Sequence, residues 1–274
     1  MPRILQRLSL DHNPAWVFIL PSLGLICLLG LPLLALIWRA IEPDFLGSVL
    51  SPQAISALKL SLFTSTASLL ITIASGTPLA YILARWKFKG KSAFELLIDL
   101  PVVLPPSVAG LALLIAFGRT GVFGAWLNMI GITLPFTTLA VVLAQTFVSA
   151  PLFVRSARVG FAEIDRQLVE AANVEGGNEW QIFRFIMFPL AGRAFLTGLV
   201  LTWTRALGEF GATIMFAGNL EGKTQTMPLA IYLGFEQGLG VAIALSVMMM
   251  VVSVVLVGVT RRLERDARAD THGQ

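Results

Sequence analysis

The chain has 274 residues, 56% of them hydrophobic and 13% charged, with a formal net charge of +4. Soluble domains carry about a quarter charged residues, so a single water-exposed globular core is excluded and lipid is the expected solvent. The pI near 9.6 does not point to nucleic acid, because the basic residues lie in short segments between apolar runs and are not gathered on one domain.

Arg3 and Arg7 precede an apolar run from Ala15 to Trp38. That run is too long for a signal-peptide core and lacks a small-residue cleavage site, so a retained first span is expected. The single cysteine, Cys27, falls inside it and reads as a buried, inert thiol with no intrachain partner. A spanning helix needs about 20 apolar residues, and six segments qualify: 15–38, 61–84, 98–117, 136–157, 194–216 and 238–260. The expected fold class is an all-α polytopic membrane protein, with a spanning domain over 15–260 and tails at 1–14 and 261–274. Lys and Arg in alternate connections count fifteen against four, with Arg205 left inside a span. The basic side holds Arg3, Arg7, the 85–92 segment, five arginines in 155–193 and the tail after 260; the other holds Arg39, Lys59, Arg119 and Lys223. Both termini are therefore expected to be cytoplasmic.

Prolines interrupt the spans at Pro21, Pro32, Pro78, Pro105, Pro106 and Pro151, which membrane helices tolerate when neighbours satisfy the freed carbonyls. The run Asp99-Leu-Pro-Val-Val-Leu-Pro-Pro-Ser107 opens the third span with three of them, and predicts a short interfacial segment before the true span. Nearby, Glu95 and Asp99 are expected to pair with the bases of Arg85–Lys91, which also suit lipid headgroups.

The longest connection on the basic side, residues 160–193, mixes acids, bases and apolar residues at helical spacing. Leu168, Ala171, Ala172 and Glu175 predict a short helix with a small-residue face. Gly176-Gly177 breaks it, and a second helix follows with Trp180, Phe183, Phe185 and Phe188 as its bulky side, ending at Pro189. An amphipathic hairpin lying on the bilayer is the bland alternative, but alanines flanked by acids make a poor lipid anchor and a good close-packing face for a protein.

Glu170-Ala171-Ala172, then Gly176, then Ile186-x-Phe188-Pro189 resembles the EAA loop of ABC importer permeases, with Phe188 where Leu is usual. The resemblance implies the transmembrane domain of an ABC type I importer, with Glu170, Ala171, Ala172, Gly176, Gly177, Ile186 and Pro189 coupling to a separate ATPase subunit. Residues 85–117 and 203–232 are similar to the molybdate branch, with sulfate permeases close by. The implied function is import of molybdate or tungstate across a bacterial or archaeal inner membrane, with sulfate or thiosulfate as the alternative. The implied partners are a second permease copy and an external oxyanion-binding protein.

Within the fifth span, Thr202, Arg205, Glu209 and Thr213 fall on one helical face. A charge at mid-bilayer costs roughly 3 kcal/mol or more, so Arg205 and Glu209 are expected to pair or to face a polar interior. They are either a packing ion pair or part of a strip lining the pathway. A secondary transporter coupling protons through Glu209 is the rival reading, against which no repeated halves are visible. Ala217–Thr224 nearly spells a phosphate-binding loop, but it follows a membrane helix where such a loop needs a strand. His12 and His272 suggest no metal site. No nucleophile or metal-ligand constellation is present, so neither catalysis nor a cofactor is expected in this chain.

Overall fold

The computed structural model describes residues 15–41 and 45–272, and all regular structure among them is helical. The basic and histidine residues of the first fourteen positions lie outside the described residues.

The first helix, α1 (Ala15–Arg39), carries Pro21 and Pro32 and is exposed over most of its circumference. Cys27 is exposed on it, which corrects the buried thiol expected from the sequence: an all-apolar helix need not bury any one side when lipid is the solvent. After the short α2 (Phe45–Val49) comes α3 (Pro52–Arg85). Ser51 caps it by accepting from the Ala54 amide at 3.2 Å, and Pro52 occupies the first turn where its missing N–H costs nothing. Its buried positions are Ala54, Ala57, Ser61, Ser65, Ser68, Thr72, Gly76, Ala80 and Leu83, with Thr64 beside them. Almost all are small, and they recur every three or four residues. That stripe lets backbones approach closely: a methyl at Gly76 would stand 2.9 Å from the Phe153 ring.

The connection to α7 is broken into α4 (Lys91–Val103), α5 (Pro106–Phe117) and α6 (Gly124–Met129). The third predicted span is therefore not one helix. α4 and α5 meet at 115°, because Pro105 and Pro106 supply no amide to carry the helix through Leu104. The central helix is α7 (Thr138–Ala162), capped by Thr137. It buries residues on every side, including Pro151, as expected of a helix surrounded by others. After the hairpin of 160–193 the chain re-enters as α11 (Gly192–Leu207), breaks at Gly208–Phe210, and continues as α12 (Gly211–Ala217). The helix α13 (Met227–Gln237) leads to α14 (Leu239–His272), which runs on through the segment expected to be a tail.

Among the described residues four helices are long and apolar enough to cross a bilayer: Val17–Arg39, Pro52–Arg85, Thr138–Ala162 and Leu239–Val259. Counting each bent pair as one span gives six. The second bent pair is made by the end of the hairpin and α11, at 71°. Three cores stack along the bundle. One joins Ala80, Leu83, Phe153, Phe161, Ile182, Met187 and Phe195 at the hairpin end. Another joins Ala109, Val141, Ala144, Ala212 and Phe216 towards the far end. The third packs Ala54 and Ala57 against Met227, Ala230 and Leu245.

Candidate functional site

The hairpin begins where α7 ends. The Asp165 side chain accepts from the Gln167 amide at 2.9 Å and so starts α8 (Arg166–Val174). No residue of α8 is fully buried: Val169 and Ala172 lean on the core, while Glu170 and Ala171 are exposed. The helix stops in a Schellman turn. The Gly177 amide donates to Ala172 and the Gly176 amide to Asn173, at 2.9 and 3.0 Å. Gly176 has φ +89°, a conformation that glycine adopts without strain. A methyl on Gly177 would stand 2.9 Å from the Ala172 carbonyl oxygen, so both glycines are required for the same turn.

Asn178 and Gln181 then exchange two hydrogen bonds of 2.9 Å as a capping box, opening α9 (Glu179–Ile182). One π-helical turn (Phe183–Met187) and a short α10 (Phe188–Leu190) return the chain to the membrane. The π turn brings Phe188 alongside Phe183, and the aromatic side that the sequence suggested is divided. Trp180, Phe183 and Phe188 share one face: Phe183 stacks on Trp180 at 5.7 Å and meets Tyr81 edge-on at 5.5 Å. Together with α3 they line an apolar groove of about 760 Å³. Phe185 is on the other face. With Ala172, Glu175, Gly177, Gln181, Ile182 and Ile186 it borders a hollow of about 280 Å³ between the two arms of the hairpin. Of the seven residues predicted for coupling, Ala172, Gly177 and Ile186 thus face this hollow, Glu170 and Ala171 lie exposed on α8, Gly176 makes the turn, and Pro189 is exposed on α10.

The second group is not on one continuous helix. Gly208 and Gly211 flank the break. Thr202 and Arg205 sit before it, and Glu209 lies within it. Thr213 follows on α12. Arg205 and Glu209 do meet, with Nη1 and Oε2 2.6 Å apart. The other carboxylate oxygen of Glu209 accepts the Ala212 amide at 2.7 Å, so Glu209 re-caps the chain where the helix resumes. Glu209 is 1% exposed and the Arg205 side chain 34%. Thr202 and Thr213 are fully buried, and the Thr202 hydroxyl donates to the Ser149 carbonyl of α7 at 3.3 Å. Of the four, Arg205 alone presents a partly open polar group.

Ala217–Thr224 is a compact turn with its amides directed inward. The amides of Lys223, Thr224 and Gln225 all donate to the Leu220 carbonyl, at 3.1, 2.8 and 2.9 Å, and a helix, not a strand, precedes it. A phosphate loop needs a strand before it and free amides, and the amides of Leu220, Lys223 and Thr224 are already spent within the turn, so the match is a coincidence of letters. Among the described residues no cluster of three His, Cys, Asp or Glu side chains could hold a metal.

Two features escaped the sequence reading. Gln145 is fully buried on α7 with neither end of its amide hydrogen-bonded among the described residues. Glu95 and Asp99, expected to pair with the neighbouring bases, reach across to α7: Arg158 contacts Glu95 at 2.6 Å and Arg155 contacts Asp99. Lys91 is only a 4.0 Å neighbour of Glu95. The i, i+4 spacing of Glu95 and Asp99 and the i, i+3 spacing of Arg155 and Arg158 were the available signals.

Comparison with known proteins agrees with this architecture. Residues 76–269 match the family described as the inner membrane component of binding-protein-dependent transport systems. The molybdenum transport permease ModB of Mycobacterium tuberculosis is 41% identical over 248 residues, covering 89% of this chain and 92% of that one. ModB of Escherichia coli is 35% identical, covering 80% and 98%. The sulfate transport permease CysT of Escherichia coli is 34% identical, covering 79% of each. Among solved structures, a bacterial ABC transporter that imports the acidic polysaccharide alginate superposes with a TM-score of 0.75 at 21% identity, over 95% of this chain and 99% of that one. The fold is that of an ABC type I importer's membrane domain, and the chain is a multi-pass integral membrane protein belonging to the family of binding-protein-dependent transport system inner-membrane components.

Proposed function

We propose that this chain is the permease of an ATP-driven importer for molybdate or tungstate, driven by a separate ATPase that docks on the hairpin Glu170–Pro189. The observation that carries the docking reading is the exposed Glu170-Ala171 face of α8, held in a fixed direction by the Gly176–Gly177 turn. Small side chains there allow the close approach a protein partner needs. Both termini and the hairpin lie on the cytoplasmic side in this reading, in keeping with the lysine and arginine distribution. Two copies form the pathway, ATP hydrolysis resides in the partner subunits, and an external binding protein delivers the anion to the opposite face. The mechanism is alternating access, in which packed bodies rock around the broken helices.

Molybdate is favoured as cargo by identity of 35–41% to molybdenum permeases over 80–89% of the chain, with sulfate relatives at 34–36% as the second reading. Calorimetry on the cognate binding protein separates the two: tight molybdate or tungstate binding with weak sulfate binding is expected, and the reverse preference overturns the cargo assignment.

Arg205 is the pathway residue in this account. Its guanidinium is positioned by Glu209 and is attractive to a tetrahedral oxyanion. Arg205→Gln keeps a donor for Glu209 but removes the charge. Uptake is expected to fall about tenfold with assembly retained, and unchanged uptake by an assembled variant excludes a role for the charge.

A further inference from the structure

The α4–α5 elbow and the break between α11 and α12 touch each other. A methyl on Gly211 would stand 2.6 Å from Pro106 Cβ, and one on Gly110 would stand 2.8 Å from the Ala212 backbone. Ala212 is also the residue whose amide Glu209 caps. The α4–α5 elbow and the Arg205–Glu209 break therefore share one contact with no slack, and displacement of one displaces the other.

α4, which leads into that elbow, has its polarity reversed relative to a helix in water. Phe94, Leu96, Leu97, Leu100 and Val103 are exposed, while Lys91, Glu95, Ile98 and Asp99 form the half-buried face. Arg155 and Arg158 of α7 meet this face. Arg158 Nη1 lies 2.6 Å from Glu95 Oε1, and Arg155 Nε donates to Asp99 Oδ1. Beneath these pairs Ile98 packs against the core that holds Leu83 and Val154, and Pro101 is the buried residue of α4. Two ion pairs thus join α4 to α7 beside this apolar contact, with their side chains 25–48% exposed. Both arginines sit within two turns of Ala162, where α7 gives way to the hairpin.

We infer that the pairs Glu95–Arg158 and Asp99–Arg155 are the link through which hairpin displacement reaches the elbow and, through Gly211 and Ala212, the break that holds Arg205. These four are positioning residues for transport, and the inference rests on the hairpin being the ATPase dock. Elsewhere α7 and α11 are joined by close small-residue contacts, Gly160 against Ala194 and Gly198 against Phe153, so they move together. α4 instead meets α7 through two ion pairs, Glu95–Arg158 and Asp99–Arg155.

The test uses the assembled transporter with its ATPase subunits and binding protein in proteoliposomes, with molybdate as the probe. The double variant Glu95→Gln, Asp99→Asn is expected to retain its ATPase while molybdate moved per ATP hydrolysed falls about tenfold, within the usual range of coupling between sites. Exchanging the charges in both pairs (E95R with R158E, D99R with R155D) is expected to restore most of that ratio, which a loss of packing alone would not do. A wild-type ratio in the double variant overturns the link, as does an assembled exchange variant with a tenfold loss. If the double variant does not assemble, the exchange variant decides. Failure of the wild-type chain to retain an ATPase would instead overturn the hairpin reading on which the link rests.

Discussion

Ala171→Arg is expected to abolish ATP-driven uptake while leaving the membrane bundle folded. Ala171 is exposed on α8, a helix with no fully buried residue. Arginine is a good helix former, so the cost to the fold is expected to stay within about 0.5 kcal/mol. The effect on docking is of another size. A long charged side chain in the middle of a close-packing face must either be desolvated against the partner or hold it away, and losses above about 2 kcal/mol are usual at such central positions. Co-purification of the ATPase with the tagged variant, followed by uptake in vesicles, reads both effects. A variant that keeps its ATPase and its uptake removes α8 from the docking surface. Gly176→Pro probes the same unit without adding bulk. Proline cannot take φ +89° and has no amide for Asn173, so the second arm should lose its direction and uptake should fall even though both docking arms keep their side chains.

Glu209→Ala is expected to destabilise the bundle by about 1–3 kcal/mol. It leaves the buried Ala212 amide without its cap and the partly open Arg205 guanidinium without its carboxylate. Glu209→Gln keeps an acceptor for Ala212 and should fall between the wild type and Glu209→Ala. Thermal unfolding of the detergent-solubilised protein orders the three. An Ala variant as stable as the wild type would mean that the ion pair and cap contribute nothing net.

The architecture was legible where pattern is long. Apolar runs gave the spans, and the spacing from Glu170 to Pro189 gave the hairpin, because helix period and glycine placement are local properties. The breaks were less legible. Gly208-Glu209-Phe210-Gly211 keeps a helical spacing of Arg205, Glu209 and Thr213, so the sequence reads as continuous although two glycines weaken the helix and a capping carboxylate offers an alternative partner for the backbone. The elbow at Leu104–Pro105 was signalled by its prolines, but not the angle of 115°, because missing amides break a helix without fixing its new direction. The pairing of Glu95 and Asp99 with α7 was hidden for a similar reason: nearby bases at Arg85–Lys91 compete on paper, and only the fold decides which arginines arrive. Phe185 parted from the other aromatics because it stands two residues from Phe183, on the opposite side of a helix, while the π turn brings Phe188 back beside Phe183.

The exposure of Cys27 on α1 has a practical consequence. It is the protein's only cysteine, and it stands on a helix that leans little on the rest of the bundle. A small, lipid-soluble maleimide spin label would therefore report on α1 alone, without any engineered background. The reverse also holds: any thiol placed in the hairpin or on α4 for distance measurements begins with a second reactive thiol already present. Cys27→Ser is the natural parent for such experiments, and a methyl-sized change on an outward-facing position should leave the bundle undisturbed.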